Sequence, residues 1–463
     1  MDESRLERLE ARVLQDLEYI NIPLKSWVPA CLNSSGSSIA DVAIVGAGQS
    51  GLVVASALMF EGIKNIQVFD SAQSGYEGTW INSARMETLR SPKALPGLAH
   101  GIPSLTFRSW YEAAYGYDSW NRMDKIPTKT WWHYLNWYRK VLKIPVKNGV
   151  TVLKIKSTFN KVIQIKTEKN GLIEEFFTRK IVLTNGRTGF GGAKVPPQVK
   201  VLPKNLWKHS SEPISAKDIK SKDVVVIGSG ASAMDNAIYS SMQGAKSVCI
   251  LIRRLELSSI NKLHSLLNLG FVNGFYHTPA EYRYNVTSVI DQSQVPPTKE
   301  SIDKIKKDPK ITLNYGCILR KTKMNNGIIE IFTDAGLFKS NFIITATGFK
   351  VDAINVELIE EFRDHILLWK DILPNIKNEY ENHPFLGNAF ELLDRTNKDN
   401  YFLNNIHCFN HSATLSHGEI SSTILYISEG ARRLARKIAC CFFNEQKAYF
   451  MDLLHQYNVS EFD

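Results

Sequence analysis

The 463-residue sequence has few cysteines, no long apolar run and no spacing typical of a metal site. Its six cysteines are scattered, and none forms a Cys-x-x-Cys or Cys/His pattern, which argues against a zinc site or a redox-active dithiol. The longest apolar stretches, such as residues 42–45 and 438–443, fall far short of the roughly 18 residues that a membrane-spanning helix needs. The start lacks the basic-then-apolar pattern of a signal peptide. We therefore expect a cytoplasmic protein with no metal and no membrane partner.

Positive charge is in excess. The sequence has 56 Lys and Arg against 46 Asp and Glu, a formal net charge of +10 at pH 7. These cations are spread along the chain without a recognition motif, so we expect no nucleic-acid partner. A positive field that attracts phosphate-rich cofactors or other anions is the plainer interpretation. The length predicts more than one domain, or one domain interrupted by another.

Residues 2–20 carry apolar side chains at steps of three and four, which predicts one amphipathic helix. The stripe consists of Leu6, Leu9, Val13, Leu14, Leu17 and Ile20. Two interpretations are open: an arm packed on its own subunit, or a contact in a homodimer. Pro23, Pro29 and residues 33–38 then indicate a linker, so residues 1–40 are expected to form an arm and a linker.

A glycine-rich turn follows a predicted buried strand at residues 42–45. It fits G-x-G-x-x-G at the start of a predicted helix, the arrangement that binds a pyrophosphate. The expected contacts are Gly46, Gly48, Gln49, Ser50 and Gly51. The next strand ends at Asp70, where an acid accepts hydrogen bonds from a ribose diol. A solvated turn residue is the alternative for Asp70, but its register with the glycines favours a dinucleotide site.

The same pattern recurs at residues 223–233, with alanine as the third small residue. The next strand ends in Arg253-Arg254 rather than in an acid, and a basic residue there suits the 2′-phosphate of NADPH. Because successive strand residues point to opposite faces, we expect one of these arginines to hold the phosphate. The expected contacts are Gly228, Gly230, Ser232, Ala233, Arg253 and Arg254.

Two more strand-then-glycine segments, residues 181–186 and 342–348, flank the second unit. Their placement predicts that residues 191–345 form an inserted NADPH-binding domain. Residues 41–190 and 346–463 then form the discontinuous first domain. The predicted fold is α/β, with two Rossmann-like dinucleotide-binding domains, one inserted in the other.

Taken together, these segments resemble the class B flavoprotein monooxygenases over nearly all of residues 41–440. The resemblance rests on both glycine turns, on Glu77-Gly78-Thr79-Trp80 and on Ala346-Thr347-Gly348-Phe349. Within this group, the sequence is most similar to bacterial enzymes described as FAD-dependent urate hydroxylases. That similarity lies in residues 89–93, 101–108 and 137–139.

The resemblance implies FAD in the first site and NADPH in the second, with Thr79, Trp80, Thr347 and Gly348 among the cofactor contacts. It implies a monooxygenase that hydroxylates a small molecule with molecular oxygen through a flavin C4a-hydroperoxide. The substrate would be a urate-like or other electron-rich heterocycle, or an amine. The protein's own task is positioning, since the oxidation chemistry belongs to the cofactor. Two alternatives are open: an NADPH-dependent reductase or oxidase without oxygen insertion, and a non-catalytic redox sensor.

Two catalytic candidates each have a structural alternative. Arg90 stands where many family members have an asparagine, and it would hold an anionic or electron-rich ring beside the flavin. The alternative is an arginine bonded to backbone carbonyls. His417 lies in a segment that resembles the last flavin-contacting segment of the family, and it is the candidate proton donor. The alternative is a histidine with purely structural hydrogen bonds.

Aromatic residues are dense between positions 107 and 142 and would suit a substrate box. Trp131, Tyr134 and Tyr138, however, lie at helical spacing, which is typical of a core stripe. One family motif is degraded: of Phe-x-Gly-x-x-x-His only His209 is present, which makes Baeyer–Villiger chemistry a weaker expectation.

Overall fold

The computed structural model describes residues 1–22, 25–32, 36, 38–158, 162–396 and 402–462. Pro23 and most of residues 33–38 of the predicted linker lie outside the described residues. Within the described ranges, no helix is long and apolar enough to cross a membrane.

The α-helices, numbered along the chain, are α1 (Glu3–Tyr19), α2 (Gln49–Phe60), α3 (Phe107–Tyr115), α4 (Tyr117–Arg122), α5 (Thr128–Val141), α6 (Pro197–Lys200), α7 (Ala216–Ile219), α8 (Ala231–Met242), α9 (Leu269–Gly274), α10 (Ala280–Ser293), α11 (Lys299–Lys307), α12 (Trp369–Ile372), α13 (Thr414–His417), α14 (Ile427–Glu445) and α15 (Lys447–Gln456). The strands are β1 (Cys31–Leu32), β2 (Ser38–Val45), β3 (Ile66–Asp70), β4 (Val146–Asn148), β5 (Thr151–Ser157), β6 (Ile163–Lys169), β7 (Leu172–Leu183), β8 (Gly191–Ala193), β9 (Trp207–His209), β10 (Asp223–Ile227), β11 (Ser247–Leu251), β12 (Ile311–Asn314), β13 (Leu319–Asn325), β14 (Ile328–Thr333), β15 (Gly336–Ser340), β16 (Phe342–Thr345), β17 (Phe349–Val351) and β18 (Ile406–Cys408).

The first sheet is built around a parallel core. Its order is β4-β3-β2-β7-β6-β5, with β1 beside β2 and β18 beside β7. The pairs β2–β3, β2–β7, β3–β4 and β7–β18 are parallel. Strands β5, β6 and β7 form an antiparallel meander. Six of the eight residues of β2 are buried, as expected for a strand covered on both faces.

The second sheet, in the order β12-β11-β10-β16-β9, is parallel throughout. Its two faces are covered differently. Val224 and Val226 of β10 share one core with α8 and α11, whereas Val225 and Ile227 face a second core. That second core includes Ile329 and Ile331 of the antiparallel sheet β13-β14-β15. This alternation follows from the two-residue period of a strand.

A two-stranded ribbon marks where the chain enters and leaves the second unit. Strand β8 pairs antiparallel with β17, so that Gly191 lies opposite Val351 and Ala193 opposite Phe349. All strands of the second sheet fall between β8 and β17 in the chain. The prediction of an α/β fold with two Rossmann-like units, one inserted in the other, is confirmed. The exact boundaries at residues 190 and 345 stay a prediction.

The amino-terminal arm packs on its own chain. Helix α1 begins after Asp2, whose side chain accepts a hydrogen bond from the Arg5 backbone N–H. Val13 and Leu17 are buried in the main core, while Leu14 is 55% exposed. The own-subunit interpretation is therefore confirmed, and a homodimer stays a prediction.

The aromatic stripe of α5 is core, as its spacing indicates. Trp131, Tyr134 and Tyr138 are completely buried. Tyr134 donates its hydroxyl to the Leu105 carbonyl, and Tyr138 donates its own to the Leu98 carbonyl, both at 2.7 Å. These hydrogen bonds satisfy the polar ends of the rings and fix the preceding loop against the helix.

Candidate functional site: two glycine turns

The first glycine turn connects β2 to α2 at the carboxyl edge of the first sheet. Gly46 has a φ of +103°, and its N–H donates to the Phe69 carbonyl at 2.8 Å. At Gly51, in the first turn of α2, an added Cβ would stand 1.8 Å from the Gly46 carbonyl oxygen. Only glycine allows the helix to start this close to the strand end.

Asp70 ends β3 and reaches back to this turn. Its Oδ2 accepts the Ala47 backbone N–H at 2.7 Å, and its Oδ1 accepts the Ala72 N–H at 2.8 Å. Burial raises the pKa of the carboxyl above its usual value, although these two hydrogen bonds act in the opposite direction. The acid therefore lies beside the turn as its register predicts, while its contact with a ribose stays a prediction.

The loop that carries the family motif packs on the same turn. An added Cβ at Gly48 would lie 3.4 Å from the Gly78 Cα. The buried Glu77 carboxylate forms an ion pair with Arg139 and accepts from Asn148 Nδ2 at 2.6 Å. This network holds residues 77–80 against the turn, with Thr79 exposed and the Trp80 ring 6.3 Å from the Trp131 ring.

One polar atom at the first turn has no protein partner. Gln49 Oε1 is buried without a hydrogen bond among the described residues. The neighbouring Ser50 Oγ donates to the Ser421 carbonyl at 3.2 Å, which ties the turn to the carboxy-terminal segment. A buried acceptor without a donor is unfavourable, so this amide oxygen fits a bound polar ligand.

The second turn, between β10 and α8, repeats the first. Gly228 has a φ of +150°, and its N–H donates to the Leu251 carbonyl at 3.1 Å. Ala233 is fully buried under the turn, whereas Ser232 is exposed. An added Cβ at Gly230 would meet no atom within 4 Å, so the space beside this residue is open to a ligand.

Each glycine turn packs against the residue that directly follows a neighbouring strand. Thr184, directly after β7, donates its Oγ1 to the Gly46 carbonyl at 2.7 Å. At the second turn, an added Cβ at Gly228 would stand 2.4 Å from the carbonyl oxygen of Ala346, which directly follows β16. The two strand-then-glycine segments of the sequence thus occupy equivalent places in the two units.

Thr347 and Gly348 lie where the chain crosses between the units. Thr347 Oγ1 donates to the Lys194 carbonyl. The Gly348 carbonyl accepts the Lys194 N–H at 2.9 Å and bonds His209 Nε2 at 3.0 Å. Burial lowers the pKa of His209, so its neutral ring serves as a structural link here. Cofactor contact by Thr347 and Gly348 stays a prediction.

The paired arginines lie just beyond β11 and differ in their surroundings. Arg253 is exposed. Arg254 is partly buried, and its Nη2 donates to the Gln292 carbonyl at 2.7 Å. One arginine is thus held by the protein and the other is exposed to solvent, although both lie beyond the end of the strand, where strand alternation no longer applies. Contact with a 2′-phosphate stays a prediction.

Arg90 joins the two units. Its guanidinium forms an ion pair with Asp235 on α8, whose pKa is raised by burial. The alternative of an arginine bonded to backbone carbonyls is therefore wrong, because its partner is a carboxylate. A role in holding substrate stays a prediction, and it would compete with this ion pair.

His417 is enclosed and bonded at both ring nitrogens. Its Nε2 lies 3.0 Å from the Gly387 carbonyl, and its Nδ1 lies 2.7 Å from Arg433 Nη2. Burial lowers the pKa well below the usual value, and the ring stacks on Phe390 and Tyr276. A neutral ring with this hydrogen-bonding favours the structural alternative, and proton donation stays a prediction.

Several contacts between the two units could not be predicted from any sequence pattern. Arg85 donates to the carbonyls of Ser210 and Glu212, each at 2.6 Å, and Lys304 pairs with Glu87 at 2.5 Å. The partners are more than 120 positions apart, so no local spacing could reveal them. Searching the described ranges for three His, Cys, Asp or Glu that could hold a metal ion finds no such group.

Comparison with known proteins places this geometry in a family. Residues 43–268 match the family model described as pyridine nucleotide-disulphide oxidoreductase. The chain is 31% identical over 462 residues to an FAD-dependent urate hydroxylase of Xanthomonas campestris pv. campestris, covering 99% of this chain and 97% of that relative.

Solved structures share the fold at low sequence identity. The ornithine hydroxylase of Pseudomonas aeruginosa matches with a TM-score of 0.71 and 15% identity, over 87% of this chain and 99% of that one. An ornithine N-hydroxylase of Kutzneria sp. 744 matches with a TM-score of 0.67 and 14% identity, over 87% of this chain and 99% of that one. With the whole-length relative and the two glycine turns, the conclusion is that the chain belongs to the class B flavoprotein monooxygenases.

Proposed function

We propose that this protein is an FAD- and NADPH-dependent monooxygenase that hydroxylates a small molecule. The observation that carries the proposal is the duplicated turn: two glycine-rich strand-to-helix connections, each at the carboxyl edge of its own parallel sheet. Ligands of open α/β sheets bind at that edge, where the helix amino-terminus favours a pyrophosphate. The Kutzneria neighbour was solved with reduced FAD and NADP⁺, which agrees with two such sites.

The residues present fit both cofactors. For FAD, the turn at Gly46 and Gly48 would receive the pyrophosphate, Asp70 the ribose, and the orphaned Gln49 Oε1 a polar group of the cofactor. For NADPH, the open space at Gly230 would receive the pyrophosphate. When bound, FAD supplies the reaction with oxygen after NADPH has reduced it.

The chain's own residues do the positioning. The Glu77–Arg139 ion pair holds the motif loop on the first turn, and the Arg90–Asp235 ion pair joins the first unit to α8 of the second. One of Arg253 and Arg254 would select NADPH over NADH by its charge. The proposed domains follow: residues 41–190 and 346–463 bind FAD, and residues 191–345 bind NADPH.

A urate-like heterocycle is the proposed substrate. Support comes from the Xanthomonas relative, whose name gives urate as its substrate and which this chain matches over nearly its whole length. The net charge of +10 favours approach of an anion such as urate. Ornithine, the substrate named for two neighbours in fold, provides the amine alternative. A cytoplasmic location and a homodimer are further predictions, as is the absence of nucleic-acid and membrane partners.

The decisive experiment follows the oxygen atoms. Purified holoenzyme is incubated with NADPH and ¹⁸O₂ in the presence of urate, ornithine or no substrate. We measure NADPH consumed, hydrogen peroxide released and product mass. A product two mass units heavier than in ¹⁶O₂, at one per NADPH, is expected for a monooxygenase. Release of one hydrogen peroxide per NADPH consumed, with every substrate, would identify an oxidase. Failure of NADPH to bleach the flavin without oxygen would identify a sensor.

A further inference from the structure

A basic cavity has no residue of either glycine turn in its lining. It has a volume of about 320 Å³ and opens between α14, α9 and the turn at Asn388. This volume is at the lower end of the range for small-molecule sites. One end of the cavity is marked by Arg436, which pairs with Glu61 just after the last residue of α2. The first glycine turn is at the other end of that helix, about 18 Å from Glu61 for 12 residues. On another side the cavity comes nearer to this turn, because the lining residue Ile420 directly precedes Ser421, whose carbonyl accepts from Ser50.

The cavity wall carries more positive than negative charge. Four cations line it, Arg432, Arg433, Arg436 and Lys437, together with one carboxylate, Glu429. These cations lie on successive turns of α14. Arg432 and Arg436 are four residues apart, and so are Arg433 and Lys437, so each pair brings two positive charges close together. Such pairs destabilise a helix. A bound anion would remove this repulsion.

Only two of the four cations have a carboxylate partner. Arg432 pairs with Glu429 at 3.3 Å, and Arg436 pairs with Glu61 at 3.4 Å. Arg433 and Lys437 form no ion pair with any residue that the structure describes. The positive charge left over at the cavity is therefore concentrated on these two side chains.

Two buried polar atoms of the wall also lack partners. Arg433 Nε and Asn388 Oδ1 are buried without a hydrogen bond inside the described ranges. Arg433 uses its Nη2 on His417, and burial lowers the pKa of its guanidinium to about 10. Arg433 has guanidinium donors beyond the one that it uses on His417, and an oxyanion is the acceptor whose geometry matches a guanidinium.

We propose that this cavity is a third ligand site, which binds a small organic polyanion, a polycarboxylate or a phosphate ester, between Arg433 and Lys437. The inference goes beyond the proposed monooxygenase activity, because no residue of the two dinucleotide turns lines the cavity. Arg433 also bonds His417, whose helix α13 precedes the Ser421 carbonyl that anchors Ser50 of the first turn.

Calorimetric titration of the holoenzyme tests the site. The protein is saturated with NADP⁺, so that the second turn is filled, and titrated at constant ionic strength with citrate or with glucose 6-phosphate. We expect one binding event per chain with at least one of them. Lys437→Gln and Arg433→Gln should each weaken it about tenfold or more, the value of a charged hydrogen bond. Lys437 is exposed and does not touch His417, so its variant folds even if Arg433→Gln does not.

Arg12→Gln is the matched control, because Arg12 is a helical surface cation paired with Asp16 on α1. It should bind both probes as the unchanged protein does. Binding of citrate alone assigns a polycarboxylate and binding of glucose 6-phosphate alone a phosphate ester, and either supports the site. The proposal is overturned if neither probe binds, or if Arg12→Gln weakens binding as much as Lys437→Gln. These outcomes do not depend on oxygen insertion, so they stand apart from a failure of the proposed function.

Discussion

Two glycine-to-alanine changes separate the structural from the ligand-binding demands of the glycine turns. In Gly51→Ala, the new Cβ would stand 1.8 Å from a backbone oxygen, whereas real Cβ contacts stay above 3.0 Å, so α2 must retreat by about 1.2 Å. Residues 51–58 of this helix are all buried, so the retreat disturbs well-packed core. Overpacking costs about 1–3 kcal/mol, and the backbone clash places this change near 3 kcal/mol. We expect colourless protein with a melting temperature lower by roughly 3 °C, because a chain of 463 residues unfolds with an entropy of about 1 kcal/mol per kelvin.

Gly230→Ala is the matched change at the second turn. Its φ of −84° and ψ of 178° suit alanine, and the added methyl meets no protein atom within 4 Å. We expect unchanged flavin content and melting temperature, with the KM for NADPH raised about tenfold or more because the methyl faces the pyrophosphate. Flavin absorbance, thermal unfolding and steady-state kinetics measure these quantities. A yellow Gly51→Ala protein of normal melting temperature, or a Gly230→Ala protein without flavin, would refute the reasoning.

Five further changes test single side chains. Arg253→Ala or Arg254→Ala should lower the NADPH-to-NADH ratio of kcat/KM about ten- to a hundredfold, and if neither does, the phosphate assignment is wrong. Arg90→Met should raise the substrate KM with flavin content intact, and an unchanged KM would remove its substrate role. His417→Gln should lower the unfolding free energy by about 1–2 kcal/mol and leave the pH profile of flavin reduction unaltered, whereas a lost limb of that profile would indicate proton donation. Burial raises the pKa of Asp41 from its usual 3.8 to about 6, because desolvation outweighs its ion pair with Arg179. The folded state then binds the proton more tightly, so stability should fall by about 3 kcal/mol as pH rises through this range. Asp41→Asn should abolish that fall in denaturation curves between pH 4 and pH 7.

The glycine turns could be predicted from the sequence because their requirements are local. A Cβ at Gly51 would clash with backbone of the same strand-turn-helix unit, and one at Gly228 with backbone that follows the neighbouring strand. The presence of glycine at these positions therefore indicates the close approach. The place of Asp70 beside the first turn could be predicted for the same reason, because this residue ends the adjacent strand. The helical spacing of Tyr134 and Tyr138 likewise indicated their burial.

Contacts between distant segments could not be predicted in this way. The pairing of Arg90 with Asp235 joins residues 145 positions apart, and nothing in either neighbourhood indicates the other. The Asn148–Glu77 hydrogen bond likewise joins residues that are 71 positions apart. The partners of His417, Gly387 and Arg433, likewise lie 30 and 16 positions away, and no sequence pattern indicated them. Tertiary packing decides such roles, and a single sequence carries no record of it.

The ribbon of β8 and β17 brings together the two ends of a segment of about 150 residues. Because the chain enters and leaves the inserted unit at the same place, the first sheet can accommodate the insertion without a change in its strand order. The equivalent backing of the two turns by Thr184 and Ala346 fits an origin of the two units from a common ancestor.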